Sequence, residues 1–397
     1  MSVAAYPAIA VQPGRHKRAE GGHPWVYSNE AVMDAAAKAL PPGSLVRLEA
    51  VGGKPLGVAT FNPHTLVAAR ILDRDPGRRI DRDFFKVRLE AALALRDRLY
   101  PEPFYRLIHA EADGLPGLVI DRYGDVLACQ LNTAGMSLLE TELLAACEIV
   151  LHPRAIVLRN DSSARKLEGL EEEVRMAQGM LDGAIELAEN GARFFADLRE
   201  GQKTGWFYDQ RENRRAVAAL AKGARLLDVY CFGGGFGVTA ALAGASQVLG
   251  IDRSEPALAQ AAQSAAANGV AATCRFTRAE AFGELERLAG AGECFDIVVA
   301  DPPAFVKSRK DAGAGLRGYR KLTRLAASVV APGGFLFIAS CSHNVEPEPF
   351  AEAVRRGVAD AKRQARILLS SGAAPDHPVH PFLPESAYLK AQLLTLD

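Results

Sequence analysis

Short apolar runs broken by glycine and proline dominate the first 75 residues, as at Ser44–Leu48, Gly57–Phe61 and Leu66–Ile71. Runs of this length between turn residues predict strands, and their spacing predicts a small β-barrel over residues 1–75. From 76 to about 190 the pattern mixes. Arg82–Tyr100 and a run near Ser137–Val150 read as helices, and Gly117–Asp121, Val126–Leu131 and Ala155–Arg159 read as strands, giving a central α+β domain. From 191 to 397 continuous apolar strands alternate with helices. Ala224–Tyr230, Gln247–Asp252, Phe295–Asp301 and Gly334–Ser340 are the strands, with helices near Phe236 and over Gly318–Val330. Ser254 and Gly269 bracket an Ala-rich helix as its start and stop. Such alternation predicts an α/β domain with a doubly wound, Rossmann-like parallel sheet, whose ligand lies at the C-terminal ends of the strands.

Composition narrows the picture. The chain has 397 residues, 49% of them apolar, with 47 Lys+Arg against 47 Asp+Glu. This is an ordinary globular mixture, long enough for two or three domains, and it excludes collagenous, coiled-coil and disordered chains. Zero net charge argues against a wholly basic nucleic-acid coat but allows a local basic face. The six cysteines contain no C-x-x-C pair, so neither a disulfide scaffold nor a zinc site is expected, and no metal. The N-terminal stretch places its charges after its apolar residues, the reverse of a secretory signal. Val229–Ile251 carries no charge and has membrane-spanning length, yet its six glycines read as strand, turn, helix and strand. The expectation is a cytoplasmic protein that does not enter a membrane.

The sharpest local chemistry lies in Asp228-Val-Tyr-Cys-Phe-Gly-Gly-Gly-Phe-Gly237, followed by Asp252 at the tip of the next strand. Glycines let backbone approach a ligand, and an acid at the second strand suits ribose hydroxyls. NAD, FAD and S-adenosylmethionine (SAM) sites share this arrangement. SAM is favoured, because Asp228 would repel a pyrophosphate and would welcome a sulfonium ligand. Asp301-Pro-Pro-Ala-Phe305 adds another acid at the same sheet edge.

Four motifs together resemble one family. They are His23-Pro-Trp-Val-Tyr27; the block Phe195-Ala-Asp-Leu, Gly201-Gln-Lys-Thr-Gly205 and Asp209-Gln-Arg-Glu-Asn-Arg214; the Asp228–Gly237 and Asp301–Phe305 pair; and Ser340-Cys-Ser-His343. The chain resembles the class I SAM-dependent cytosine-C5 methyltransferases of large-subunit (23S) ribosomal RNA that carry an N-terminal PUA domain. The resemblance implies a PUA-like RNA-binding barrel, a central α+β domain and a Rossmann-like methyltransferase domain. It implies that Asp228, Gly233 and Gly235 line the methionine end of SAM, that Asp252 holds the ribose, that Glu280 accepts from the adenine amino group, and that Tyr230 and Asp301 also bind the cofactor. Gly233 stands where a Thr or Ser is expected, so a hydroxyl is lost there.

The resemblance makes Cys341 the nucleophile. Cytosine C5 is a poor nucleophile until a thiolate adds at C6, and Asp301 could assist at N3 or the 4-amino group. A nearby Lys or Arg, or the sulfonium, should favour the thiolate. Cys231 competes but should pack beneath the cofactor, and Ala304 stands where many RNA cytosine-C5 enzymes carry a second cysteine. Lys203, Arg211, Arg214 and Phe305 are the candidate RNA contacts, with Trp206, Phe207 and Tyr208 beside them as a surface for a strand or a flipped base. Basic groups at Arg15–Arg18, Arg70, Arg74, Arg78-Arg79 and Lys307–Lys310 could add phosphate contact. Two other readings stay in view: methylation of a base amine or guanine N7 without a cysteine, and a SAM-independent RNA-binding assembly factor. A homodimer is left open.

Overall fold

The computed structural model describes residues 6–50, 52–201, 204–306 and 308–397. Lys203 and Lys307, both expected near RNA, lie outside these residues. The chain is threaded through two compact units. The first takes residues up to 185 together with 197–206 and 375–386; the second takes 186–196, 207–374 and 387–397.

The first unit contains two five-stranded sheets. The N-terminal sheet runs Ala8–Ala10, Ser44–Glu49, Pro55–Phe61, Val67–Asp73, Trp25–Tyr27, over a core that includes Val46, Leu48, Ala59 and Phe61. The second runs Glu173–Gln178, Ala155–Asn160, Val126–Leu131, Leu118–Tyr123, Phe104–His109. Helices Arg82–Leu99 and Glu140–Leu151 contribute Phe84, Phe85, Leu89, Leu143 and Cys147 to its core. Buried ion pairs bind the two late segments into this unit. Arg96 pairs with Asp113 at 2.6 Å and also donates to the Asp376 carbonyl at 3.0 Å. Arg106 pairs with Asp121 at 2.8 Å, and its backbone N–H donates to the Asp376 carboxylate at 2.9 Å. The Thr204 hydroxyl donates to Asp121, while its carbonyl accepts from the Tyr123 hydroxyl at 2.9 Å.

The second unit is built on a seven-stranded sheet. Its elements are β1 (Arg225–Val229), α1 (Gly235–Leu242), β2 (Gln247–Asp252), α2 (Glu255–Ala267), β3 (Cys274–Arg278), α3 (Ala281–Gly290), β4 (Phe295–Ala300), α4 (Ala312–Ser328), β5 (Val330–Ser340), α5 (Pro347–Asp360), β6 (Ala365–Ser371) and β7 (Lys390–Leu396). The sheet order is β3-β2-β1-β4-β5-β7-β6. The first five strands pair in parallel; β7 lies antiparallel between β5 and β6. Order reverses at β1 and β4, which places a crevice at their C-terminal tips. Apolar side chains on the two faces of the sheet feed separate cores, one including Val298, Leu322, Leu336 and Phe350, the other Leu226, Phe236, Val248 and Phe337. Among the described residues no helix is long and apolar enough to cross a membrane.

Candidate active site

Leu226, Leu227 and Val229 are fully buried in β1 and carry Asp228 toward the crevice. Asp228 is itself 1% exposed. Its Oδ2 accepts the Gly237 N–H at 3.0 Å, and its Oδ1 is buried with no hydrogen-bond partner among the described residues. Burial pushes this carboxyl up to about 7; the Gly237 N–H pulls it back, and the charge of Asp301 pushes it up again. A buried oxygen without a donor is a place prepared for one.

The chain then turns sharply, with left-handed backbone at Tyr230 (φ 65°), Phe232 (φ 47°) and Gly234 (φ 79°). Glycine takes this conformation freely, whereas Tyr230 and Phe232 pay about 1–3 kcal/mol each for it. The Phe232 N–H donates to Asp252 Oδ2 at 3.1 Å, and Asp252 Oδ1 accepts the Ser254 N–H at 2.9 Å, so the tip of β2 holds the turn. Glu280 caps α3, accepting the Gly283 N–H at 2.9 Å, and its charge acts on the Tyr230 phenol, whose pKa burial has already raised. Gly233 is buried within the turn.

Gly235 opens α1 under a buried arginine. A Cβ there would lie 2.5 Å from Arg214 Nε, and Arg214 cannot swing aside because it donates to Glu189 at 2.6 Å. Gly235→Ala is therefore expected to destabilise the protein by about 2 kcal/mol or more, since displacing one partner strands a buried charge. Thermal denaturation of the variant checks this, and an unchanged melting temperature would refute it.

The β4 and β5 tips carry the second half of the site. Asp301 Oδ2 accepts from Gln210 Nε2 at 2.9 Å; Gln210 Oε1 accepts from Asn213 Nδ2 at 2.6 Å; Asn213 Oδ1 accepts from Ser371 Oγ at 2.7 Å. This chain of hydrogen bonds holds one oxygen of the Asp301 carboxylate. Cys341 follows β5 directly, its Sγ 4.0 Å from the Pro302 carbonyl. Its neighbours Ser340 and Ser342 are fully buried and share the Tyr319 hydroxyl, at 2.8 and 2.9 Å. Ser342 Oγ also accepts the Val306 N–H at 3.2 Å, which ties the cysteine loop to the Asp301–Phe305 loop. Half-buried Phe305 packs on Tyr319, with ring centroids 4.7 Å apart. The competing Cys231 is buried beside Asp228 and Asp252, and burial first, then those acids, push its thiol well above the ordinary range. Cys274 is pushed up to about 11 by burial.

The expected RNA contacts fare differently. Arg211 and Arg214 are 6% and 4% exposed and both pair with the buried Glu189, at 3.5 and 2.6 Å. Both guanidinium groups therefore face Glu189 inside the fold and are largely shielded from solvent. Trp206 and Tyr208 are likewise core residues, at 2% and 1% exposed, and Phe207 packs edge-on against Phe232. Arg70 pairs with Glu168 at 2.8 Å, and Arg18 pairs with Glu30 at 2.7 Å while lying over the Tyr27 ring. Phe305 is partly exposed, and Arg15, Lys17, Arg74, Arg79, Arg309 and Lys310 are exposed.

Residues 171–392 match the S-adenosylmethionine-dependent methyltransferase family, and residues 9–74 match a PUA-like domain. The chain is a SAM-dependent methyltransferase. It is 36% identical over 391 residues to the protein named ribosomal RNA large subunit methyltransferase I of Shewanella denitrificans, covering 96% of this chain and 97% of that one. The protein of the same name from Photobacterium profundum is 36% identical over 393 residues, with 96% and 98% covered. A solved structure named a putative SAM-dependent methyltransferase, from Streptococcus mutans, shares the fold, with a TM-score of 0.82 at 19% identity over 98% of this chain and 100% of that one.

The site of this methyltransferase suits its cofactor. SAM is cationic, and the buried, unpartnered Asp228 Oδ1 offers it an acceptor beside a turn held open by left-handed backbone. A pH dependence follows. Between about pH 4 and 7 the folded, ligand-free protein keeps a proton on Asp228 that the unfolded chain has lost, so stability falls as pH rises. A cationic ligand favours the ionised carboxylate. SAM affinity is thus expected to rise up to about tenfold per unit between pH 5.5 and 7, and Asp228→Asn should flatten the slope. Calorimetric titration over that range decides, and a flat wild-type profile would sink the assignment.

Proposed function

We propose that this methyltransferase forms 5-methylcytosine in large-subunit ribosomal RNA, with Cys341 as the nucleophile. The observation that carries the reading is the placement of Cys341 at the β5 tip, locked through Ser342 to the loop that bears Asp301. The substrate class follows from the names of its 36%-identical relatives and from the PUA-like domain at residues 9–74, which we take to grip the RNA. We place the activity in the cytoplasm, with RNA binding assigned to residues 1–75 and catalysis to the second unit, which holds most of residues 191–397.

Asp228, Tyr230, Gly233 and Gly235 would hold the methionine end of SAM, Asp252 the ribose and Glu280 the adenine amino group. When bound, SAM supplies an electrophilic methyl group. The Cys341 thiolate forms a bond to cytosine C6, which pushes the ring's electrons toward C5 and makes C5 nucleophilic. Asp301, one of whose oxygens is held by Gln210, accepts from the 4-amino group and holds the base edge. Once C5 carries its methyl group, loss of the C5 proton to a base breaks the S–C6 bond and returns the thiolate. Ala304 stands where a second cysteine would be, so release depends on Cys341 alone. Mass-spectrometric mapping of large-subunit RNA from cells with and without this gene tests the reading. One 5-methylcytosine should vanish with the gene, and an unchanged cytosine map would overturn the assignment.

A further inference from the structure

A buried lysine sits beside the nucleophile. Lys390 opens β7 directly opposite Ser340 in the β5–β7 ladder and is 7% exposed. Its Nζ donates to the Ser342 carbonyl at 2.6 Å and to the Tyr388 carbonyl at 2.8 Å. An ammonium has three donors, so two carbonyls leave one N–H to place. Among the described residues no carboxylate forms an ion pair with Lys390, and a buried cation without an anion is costly. Burial accordingly pulls the Lys390 pKa down, while the negative charge of Cys341, and less so that of Glu346, pulls it up. The anion this ammonium lacks is available one residue before the carbonyl it grips.

We propose that Lys390 is the counter-ion of the Cys341 thiolate, a positioning residue that holds the Cys341-Ser342 turn and stabilises the sulfur's negative charge. The inference deepens the cysteine-nucleophile reading and rests on it. The thiol proton leaves to solvent, Lys390 remains an ammonium, and the sulfur pair then attacks C6 as above. Four other titratable groups lie on the segments next to Cys341 and Lys390. Tyr319, on α4, is kept neutral by burial; Asp301, at the β4 tip, accepts from Gln210; His343 stacks on Tyr388 at 5.0 Å; Glu346 acts through Lys390. Lys390 is the cation among these groups that is already hydrogen-bonded to the cysteine loop.

Alkylation of the full-length protein by iodoacetamide tests the proposal, with the Cys341 peptide quantified by mass spectrometry between pH 5.5 and 9.5. The wild-type midpoint should lie below about 8.5, the ordinary thiol value. Lys390→Met should raise it by about one unit, slowing alkylation at pH 7 roughly tenfold. Lys390→Gln keeps a donor for the Ser342 carbonyl without the charge and should behave like Lys390→Met, whereas Lys390→Arg should stay near wild type. A wild-type midpoint at or above 8.5 would overturn the proposal whether or not the variants fold. So would a folded Lys390→Gln protein with a wild-type midpoint, because Lys390 would then act only as a structural donor. The two readings fail separately: methylation retained by Cys341→Ala removes the nucleophile role, while an unmoved midpoint beside an inactive Cys341→Ala removes only Lys390.

Discussion

Cys341→Ala will lose methyl transfer to large-subunit RNA by at least about 10⁴-fold, the scale on which removing a covalent nucleophile acts. SAM binding should be untouched, because Asp228 and Asp252 belong to the β1 and β2 tips and not to the β5 tip. Stability should change by less than about 1 kcal/mol, since Cys341 is only half-buried and its neighbours Ser340 and Ser342 keep their bonds to Tyr319. A single-turnover assay with labelled SAM measures the loss, and calorimetry and a thermal melt supply the controls. Transfer retained within tenfold would point instead to a base amine or guanine N7, whose methylation needs no thiol.

Asp301→Asn is expected to cost about 10²-fold in the same assay. The carboxylate accepts a hydrogen bond that a neutral amide accepts more weakly, and one donor or acceptor aimed at the reacting ring is worth about 3 kcal/mol. Asparagine can still accept from Gln210 Nε2, so the amide chain through Asn213 to Ser371 should survive and the protein should fold. The loss should appear in the rate of the bound complex and hardly in RNA affinity. A variant within threefold of wild type would remove Asp301 from the base edge.

The parallel half of the methyltransferase sheet was legible because its strands are continuous apolar runs between capped helices, and the acids at their tips interrupt those runs visibly. Asp228, Asp252, Asp301 and Cys341 could be placed by that logic alone. The burial of the block from Thr204 to Arg214 was not legible, for a physical reason. Its density of polar groups suggests surface, yet Thr204, Asp209, Gln210, Arg211, Asn213 and Arg214 are all buried, and each of these side chains has a polar partner inside the fold. Composition reports polarity, and pairing decides where polarity can go. Lys390 escaped notice because its strand reads as one more apolar run, Leu389 to Leu396. A lone lysine in such a run was the available signal, and it marked a buried charge. Tyr319 gave no signal, since a tyrosine on an amphipathic helix usually serves the core. The hairpin Ile185–Glu189 and Ala192–Ala196 was missed as well, and with it the Glu189 that neutralises both arginines.

The threading of the chain bears on how the protein can be dissected. A fragment cut near residue 190, where composition changes, would carry Thr204 and Asp376 away from Asp121, Arg96 and Arg106. Each half would then expose or strand groups that are buried and paired in the intact chain. Crystallisation fragments, split reporters and domain swaps made at that boundary will inherit the defect. An excision that respects the fold must carry residues 197–206 and 375–386 with the N-terminal piece, which no single contiguous fragment can do.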